Sequence, residues 1–457
     1  MKKQKLLKKA GVFQLLIIIC LFLVLMAPAQ ITFITGNPNP RVKPPKPDDP
    51  PEPPSVLQFA EHNIAAADFC GGLHLLNQTD GLQYEKTWQG GTAGVTSYFS
   101  LQIADVNVDG KKDMVAGAVN LGDRKNNNDT LIFFEIYEEE ATDQPVYTSP
   151  LLLDAGTSWR TRVLVADLNQ DGFQEVILKT GTQIHVFSFY SDWSLRDHYY
   201  QTNISNPNIS YRDIAVGDIF GDGTLYLIVP AIDFSAPPYE GFVRLFRGDC
   251  LSYVDTFPLR DSSYDPNIDY CYLEDVRLFN LDGDSELEVL ATSQAQDYNY
   301  SDRKHNSYSY THLHAWDWNG PELIPLANFR VNNLNPLSSI AHFDVGLIGP
   351  AEVGVVLSGH GGVDTATVLG WNTADNSFHE IIHGAAVDIT NGTGQEIWGI
   401  TLADIDGDGI EEILFSGASS SNRKAYLEVF RWWNGGLLSI WNFIDASCER
   451  YRTHIAD

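Results

Sequence analysis

Cysteine, methionine and basic residues are all scarce in this sequence. Five cysteines in 457 residues exclude a small disulfide-built fold, so any core must rest on apolar packing. Lysine and arginine number 30 against 59 aspartates and glutamates, a net charge of −29. Lys2, Lys3, Lys5, Lys8 and Lys9 account for five of those cations, so the rest of the chain is more acidic still. Such a body repels nucleic acid and anionic membranes and attracts divalent cations. No nucleic-acid partner is expected.

Catalytic signatures are missing as well. There is no Gly-x-Ser-x-Gly elbow, His-Glu-x-x-His pair, phosphate-binding loop or Cys-x-x-Cys. His360-Gly361-Gly362 lacks a nucleophile to serve and reads as a glycine turn. His312 and His314 share one face of a strand, and with His379 and His383 they read as structural pairs. Arg247-Gly248-Asp249 sits where a hairpin turn is expected, and Gly-Asp is ordinary turn chemistry. No catalytic residue is assigned.

The amino terminus is a targeting segment. After the lysines comes an apolar run from Val12 to Met26, broken only by Gln14, and then a small-x-small site at Ala27-Pro28-Ala29. The run is shorter than the roughly 20 residues of a full span. Residues 1–29 therefore read as a signal peptide, or in the alternative as an uncleaved membrane anchor with its lysines inside. Residues 30–55 are a proline-rich spacer, stiff enough to hold a domain off a surface. The body, 56–457, is expected to be extracellular or at the cell surface.

What the body has in quantity is strand and turn chemistry: 12 % aromatics, 37 glycines and 22 prolines. It also repeats. One acidic segment recurs as ADVNVDGKKDMVAG from Ala104, ADLNQDGFQEVILK from Ala166 and GDIFGDGTLYLIVP from Gly217. It returns as FNLDGDSELEVLAT from Phe279, FDVGLIGPAEVGVV from Phe343 and ADIDGDGIEEILFSG from Ala403. Acids at positions 1, 3, 5 and 9 with glycine at 6 describe a tight loop around a hard cation, and calcium suits such an oxygen set. An EF-hand is excluded, because position 12 is Ala116, Leu178 or Phe415 and a strand follows instead of a helix. Each copy lies between two short apolar strands, and a hairpin follows. Four strands per unit predict a propeller blade.

A first unit, 63–69 with the hairpin from Leu73, lacks its opening strand. The carboxyl-terminal segment supplies it, since DASCERYRTHIAD from Asp445 parallels DAGTSWRTRVLVAD from Asp154. The prediction is an all-β, seven-bladed propeller of four-stranded antiparallel blades. Residues 450–457 pair with the amino-terminal blade and close the ring, which removes the free sheet edge. In that topology Cys70 and Cys448 fall on one face beside each other, so a Cys70–Cys448 disulfide is expected, while Cys250 and Cys271 fall on opposite faces.

These units resemble the FG-GAP/VCBS repeats of the integrin α-subunit propeller. The resemblance implies calcium in the loops of one face and partner contacts on the opposite face. Carried over by position, it implies four sites. Blade 2 offers Asp105, Asn107, Asp109 and Asp113 with the Lys111 carbonyl; blade 3 offers Asp167, Asn169, Asp171 and Glu175 with that of Phe173. Blade 5 offers Asn280, Asp282, Asp284 and Glu288 with Glu286, although Ser285 replaces the glycine; blade 7 offers Asp404, Asp406, Asp408 and Glu412 with Ile410. Blade 4 departs from the pattern at Phe220 and Tyr226. Blade 6 keeps Asp344 and Glu352 around Gly346 and Ile348, and its loop reads as structural.

The loops between the second and third strands should crowd the opposite face. Three of them carry a basic pair, Arg124-Lys125, Arg303-Lys304 and Arg423-Lys424, and one adds Tyr298, Tyr300, Tyr308 and Tyr310. Aromatics with arginine suit a binding surface. The expectation is a non-enzymatic adhesion or recognition module with a protein or glycan partner. The alternatives are a propeller-based polysaccharide lyase or hydrolase, or a structural envelope component.

Overall fold

The computed structural model describes residues 57, 63–67, 72–80, 83–92, 97–121, 130–140, 143–153, 161–202, 208–235, 239–258, 270–296, 309–319, 322–331, 339–349, 352–360, 365–386, 395–419, 425–433, 436–445 and 455–456. The targeting segment, the spacer, Cys70, Cys448, the three basic pairs, Tyr298, Tyr300 and Tyr308 lie outside the described residues. So does the side chain of Tyr310, whose backbone belongs to a strand. The chain divides into the units Met1–Pro53 and Pro54–Asp457, and all of the described residues belong to the second.

That unit is a ring of seven antiparallel blades, with strands A to D running outward in each. Blade 3 shows the plan: A is Arg162–Ala166, B Glu175–Lys179, C Gln183–Phe189 and D Leu195–Thr202, paired in that order. The A strands of neighbouring blades approach one another all the way round, so they form the innermost ring. Closure is as expected. Ile455–Ala456 pairs with Asn63–Ala67 through Ala65↔Ala456 and Ala66↔Ile455, completing the first blade from the far end of the chain. One departure from seven separate meanders occurs at Tyr239↔Tyr270 and Glu240↔Cys271, where a short parallel pairing joins blades 4 and 5.

The core lies between blades. Strand B of blade 3, EVILK, is buried along its whole length because both sheet faces meet a neighbouring blade. Each of seven apolar clusters draws residues from two adjacent blades. One unites Ile64, Leu76 and Tyr84 of blade 1 with Ile405, Leu414 and Val429 of blade 7, so the closure seam is packed like the others. Tyr84 adds a hydrogen bond from its hydroxyl to the Ile405 carbonyl at 2.9 Å.

Blade 6 is read differently once its register is known. Its A strand runs Ser339–Gly349 and turns directly into Glu352–His360, with Gly349 opposite Glu352. No acidic loop intervenes, so the Phe343 copy was aligned out of place. Asp344 pairs with Val356, the fifth residue of strand B, as Ser100 pairs with Gly117 and Arg162 with Lys179. It is an inner-strand residue, not the first residue of a loop.

That inner position carries a chain of polar contacts around the axis. The Ser100 hydroxyl accepts from the Val163 N–H at 3.1 Å, and Arg162 lies 3.6 Å from Asp213. Arg277 donates to Asp213 at 3.1 Å and to Asp344 at 3.0 Å, and His342 Nδ1 stands 3.1 Å from Asp275. Asp344 in turn accepts from the Leu402 N–H at 2.9 Å, which reaches blade 7. Burial works against the charge on Arg277, but Asp275, Asp344 and Asp213 outweigh it and hold the guanidinium protonated beyond its usual range.

Arg277→Met should destabilise the fold by about 3–5 kcal/mol, because it leaves three carboxylates without their shared cation. Urea unfolding at neutral pH measures this, and a loss below about 1 kcal/mol, the range of exposed pairs, would contradict it.

Candidate metal centres

Each acidic loop is built by its own backbone. In blade 2, Asp105 accepts from the N–H groups of Asp109 and Gly110 at 3.0 and 2.9 Å, and Asp109 accepts from Lys111 at 2.9 Å. Blade 3 repeats this with Asp167, Asp171, Gly172 and Phe173, and blade 7 with Asp404, Asp408, Gly409 and Ile410. The glycine at position 6 is required by its backbone: φ is 89° at Gly110, 88° at Gly172 and 82° at Gly409. Blade 5 tolerates Ser285 there because that residue does not take a positive φ; Gly283, at position 4, has φ 87° and donates to Asn280 at 2.6 Å.

Position 9 opens strand B and is fully buried in all four loops, at Asp113, Glu175, Glu288 and Glu412. One carboxylate oxygen accepts the N–H of position 2, from Val106 at 2.9 Å, Leu168 at 2.8 Å, Leu281, and Ile405 at 3.2 Å. Burial pushes all four carboxyls up to about 7, and in blade 7 it does so against the pull of Arg431. The carboxylate oxygens of Asp282, Asp284 and Glu288 lie within 4.8 Å of one another, as do those of Asp404, Asp406 and Glu412.

The second oxygen at position 9 distinguishes the loops. Asp113 Oδ1 and Glu288 Oε1 are buried and meet no hydrogen-bond partner among the described residues. Glu175 Oε1 faces the Asn169 amide at 3.3 Å. Glu412 Oε1 is taken by Arg431, whose Nε lies at 2.8 Å and Nη2 at 2.6 Å; Nη2 also bonds Asp406 and lies 3.5 Å from Asp408. In blades 2 and 5 a buried oxygen stands unpaired beside further acids, a chemistry that a hard cation would satisfy. In blade 3 Arg196 holds Asp171 at 2.6 Å from outside and keeps its carboxyl below the usual range.

Blade 4 keeps the turn but not the ligands. Asp218 still accepts from Asp222 and Gly223, while Phe220 and Tyr226 pack edge to face at 4.8 Å at positions 3 and 9. The other motifs resolve structurally. His314 stacks on Trp316 and bonds Ser293 at 2.8 Å, and His312 faces Asn328 at 3.1 Å. In the Arg-Gly-Asp turn, Arg247 pairs with Asp249 at 3.0 Å and Gly248 donates to the Leu225 carbonyl. Cys250 is a free, exposed thiol.

Arg431 was the site residue not found from sequence. It lies on strand C, one residue beyond the Ile413↔Phe430 pair, and so faces position 9 only through strand register.

No family model and no curated protein matches this sequence. By shape it resembles a Bacteroides uniformis protein provisionally assigned as a 6-phosphogluconolactonase, over 87 % of this chain and 100 % of the other, at TM-score 0.52 and 10 % identity. An Agrocybe aegerita lectin described for recognition of non-reducing terminal N-acetylglucosamine aligns over 88 % and 96 % at TM-score 0.45 and 13 % identity. The first is a likeness of fold; the second is more distant and carries no argument.

The raised position-9 acids give the metal-free protein a defined pH response. Glu288 moves from 4.5 to about 7 on folding, so the folded state binds the extra proton, and stability present at low pH is lost as pH rises toward and through 7. Glu288→Gln should therefore raise the melting temperature of the chelator-treated protein at pH 7.5 and leave it nearly unchanged at pH 4. Equal shifts at both values would count against the buried charge.

Proposed function

We propose that this protein is an exported, calcium-stabilised propeller that acts as a non-enzymatic recognition or adhesion module at the cell surface. The observation that carries the reading is the recurrence, at the A–B turns, of a buried position-9 acid set among further carboxylates, with an oxygen left unpaired at Asp113 and Glu288. Like charges at this density repel unless a cation lies between them, and calcium accepts such an irregular oxygen set. The ion would be held by the position 1, 3, 5 and 9 side chains, and its role is to fix the turn between strands A and B. Affinity in the extracellular class, about 10⁻⁴–10⁻³ M, suffices in a calcium-rich medium. Export rests on the lysine-led apolar segment and the proline-rich spacer.

Recognition is assigned to the face opposite these loops, where Arg124-Lys125, Arg303-Lys304, Arg423-Lys424 and the tyrosines of 298–310 belong in the strand order. An acidic protein or a glycan is the partner class that such a surface suits. A lyase or hydrolase reading has one observation in its favour: His342, Asp275 and Arg277 gather on the inner strands. Those groups are already committed to contacts between blades, which favours recognition.

Calcium at about 100 times its dissociation constant should stabilise the fold by roughly 2.7 kcal/mol for each site filled, read as a rise in melting temperature that a chelator reverses. A melting temperature indifferent to both would overturn the calcium reading. On a glycan panel the recognition reading expects calcium-dependent retention of intact ligand, whereas turnover abolished by His342→Ala would establish the enzyme reading instead.

A further inference from the structure

The four loops differ in the strand C residue that faces the buried acid. In blade 2, Asp113 pairs across to Glu138. In blade 5, Asp317, one residue beyond the Val289↔Trp316 pair, faces Glu288. In blade 3 the residue opposite Glu175 is Ser188. In blade 7 it is Arg431. Two sites therefore gain a further negative charge, and one gains a positive charge at the same structural position.

Arg431 does more than sit nearby. Its guanidinium takes Glu412 through both Nε and Nη2, and the same Nη2 contacts Asp406 and Asp408, which are positions 3 and 5 of the loop. Both nitrogens converge on the single oxygen Oε1 of Glu412, so the guanidinium supplies charge-assisted bonds where a bound cation would supply coordination. By contrast, Asp113 and Glu288 are 0 % exposed and each keeps a buried oxygen with no hydrogen-bond partner among the described residues.

Resting on the calcium reading above, we infer that Arg431 is the resident cation of blade 7. Divalent ions are then taken at blades 2 and 5 but not at the loop whose sequence matches the repeat best. The arrangement has a structural consequence. Blade 7 adjoins the closure seam, and Tyr84 of blade 1 bonds the carbonyl of Ile405, the second residue of the blade 7 loop. An internal cation keeps that loop shaped, and the ring closed, when external calcium falls.

The test counts ions. Calcium bound to the full chain is measured by equilibrium dialysis and by calorimetric titration for wild type, Asp109→Ala, Asp408→Ala and Arg431→Ala. These substitutions compare position 5 of blade 2, position 5 of blade 7 and the internal cation. Asp109→Ala should lower the count by one ion per chain, Asp408→Ala should leave it unchanged, and Arg431→Ala should raise it by one. Equal losses in Asp109→Ala and Asp408→Ala, or no gain in Arg431→Ala, would overturn the inference while leaving calcium binding intact. Absence of bound calcium in wild type and in Arg431→Ala alike would overturn both. Should Arg431→Ala not fold, Arg431→Gln replaces it, and the Asp408→Ala comparison decides the question on its own.

Discussion

One hydrogen bond organises the acidic face of this propeller. At the start of strand B a fully buried carboxylate accepts the backbone N–H of the second loop residue, and this recurs at Asp113, Glu175, Glu288 and Glu412. The bond ties the loop that follows strand A to the start of strand B. It also places an acid where water cannot reach it, among neighbours of the same charge. Burial of that kind is costly unless the charge is neutralised. The loops are variations on how this is done.

Four solutions are visible among blades 2, 4, 5, 6 and 7. Blades 2 and 5 leave an oxygen unpaired and add another acid from strand C, the two places where the proposed calcium would neutralise the buried charge. Blade 7 uses Arg431. Blade 4 abandons the charge and fills the positions with Phe220 and Tyr226, which pack on each other and, through Phe220, on Trp318. Blade 6 dispenses with the loop and turns directly from Gly349 to Glu352. Where a blade has no loop to stiffen it, other contacts serve: Asp344 ties blade 6 to Arg277 on one side and to the Leu402 N–H on the other.

The axial contacts and the loops divide the work of holding the ring. Inner strands are joined through Ser100, Arg162, Asp213, Arg277 and Asp344, each bridging to the next blade. Apolar clusters fill the wedge outside them, the seam between blades 7 and 1 included. In blades 2, 3, 5 and 7 the buried acid of the A–B turn adds a tie between strands A and B.

Much of this was legible without coordinates. A loop motif recurring between apolar strands implies a fixed supersecondary unit, and a first unit lacking a strand that the last residues supply implies closure; both follow from local pattern, because strand alternation and turn chemistry are near-neighbour properties. The misplacement of Asp344 shows where pattern fails, since an Asp followed by a Glu eight residues on mimics a loop unless hydrogen-bond register says otherwise. Residue chemistry alone determined the blade count, the ring closure and the acidic loops of blades 2, 3, 5 and 7. Which charge faces each buried acid was decided only by the tertiary fold. Glu138, Ser188, Asp317 and Arg431 lie a full strand away in sequence and reach position 9 through the pairing of strands B and C. A shift of one residue in that pairing would bring an aromatic neighbour there instead, Trp316 or Trp318 for Asp317 and Phe430 or Trp432 for Arg431.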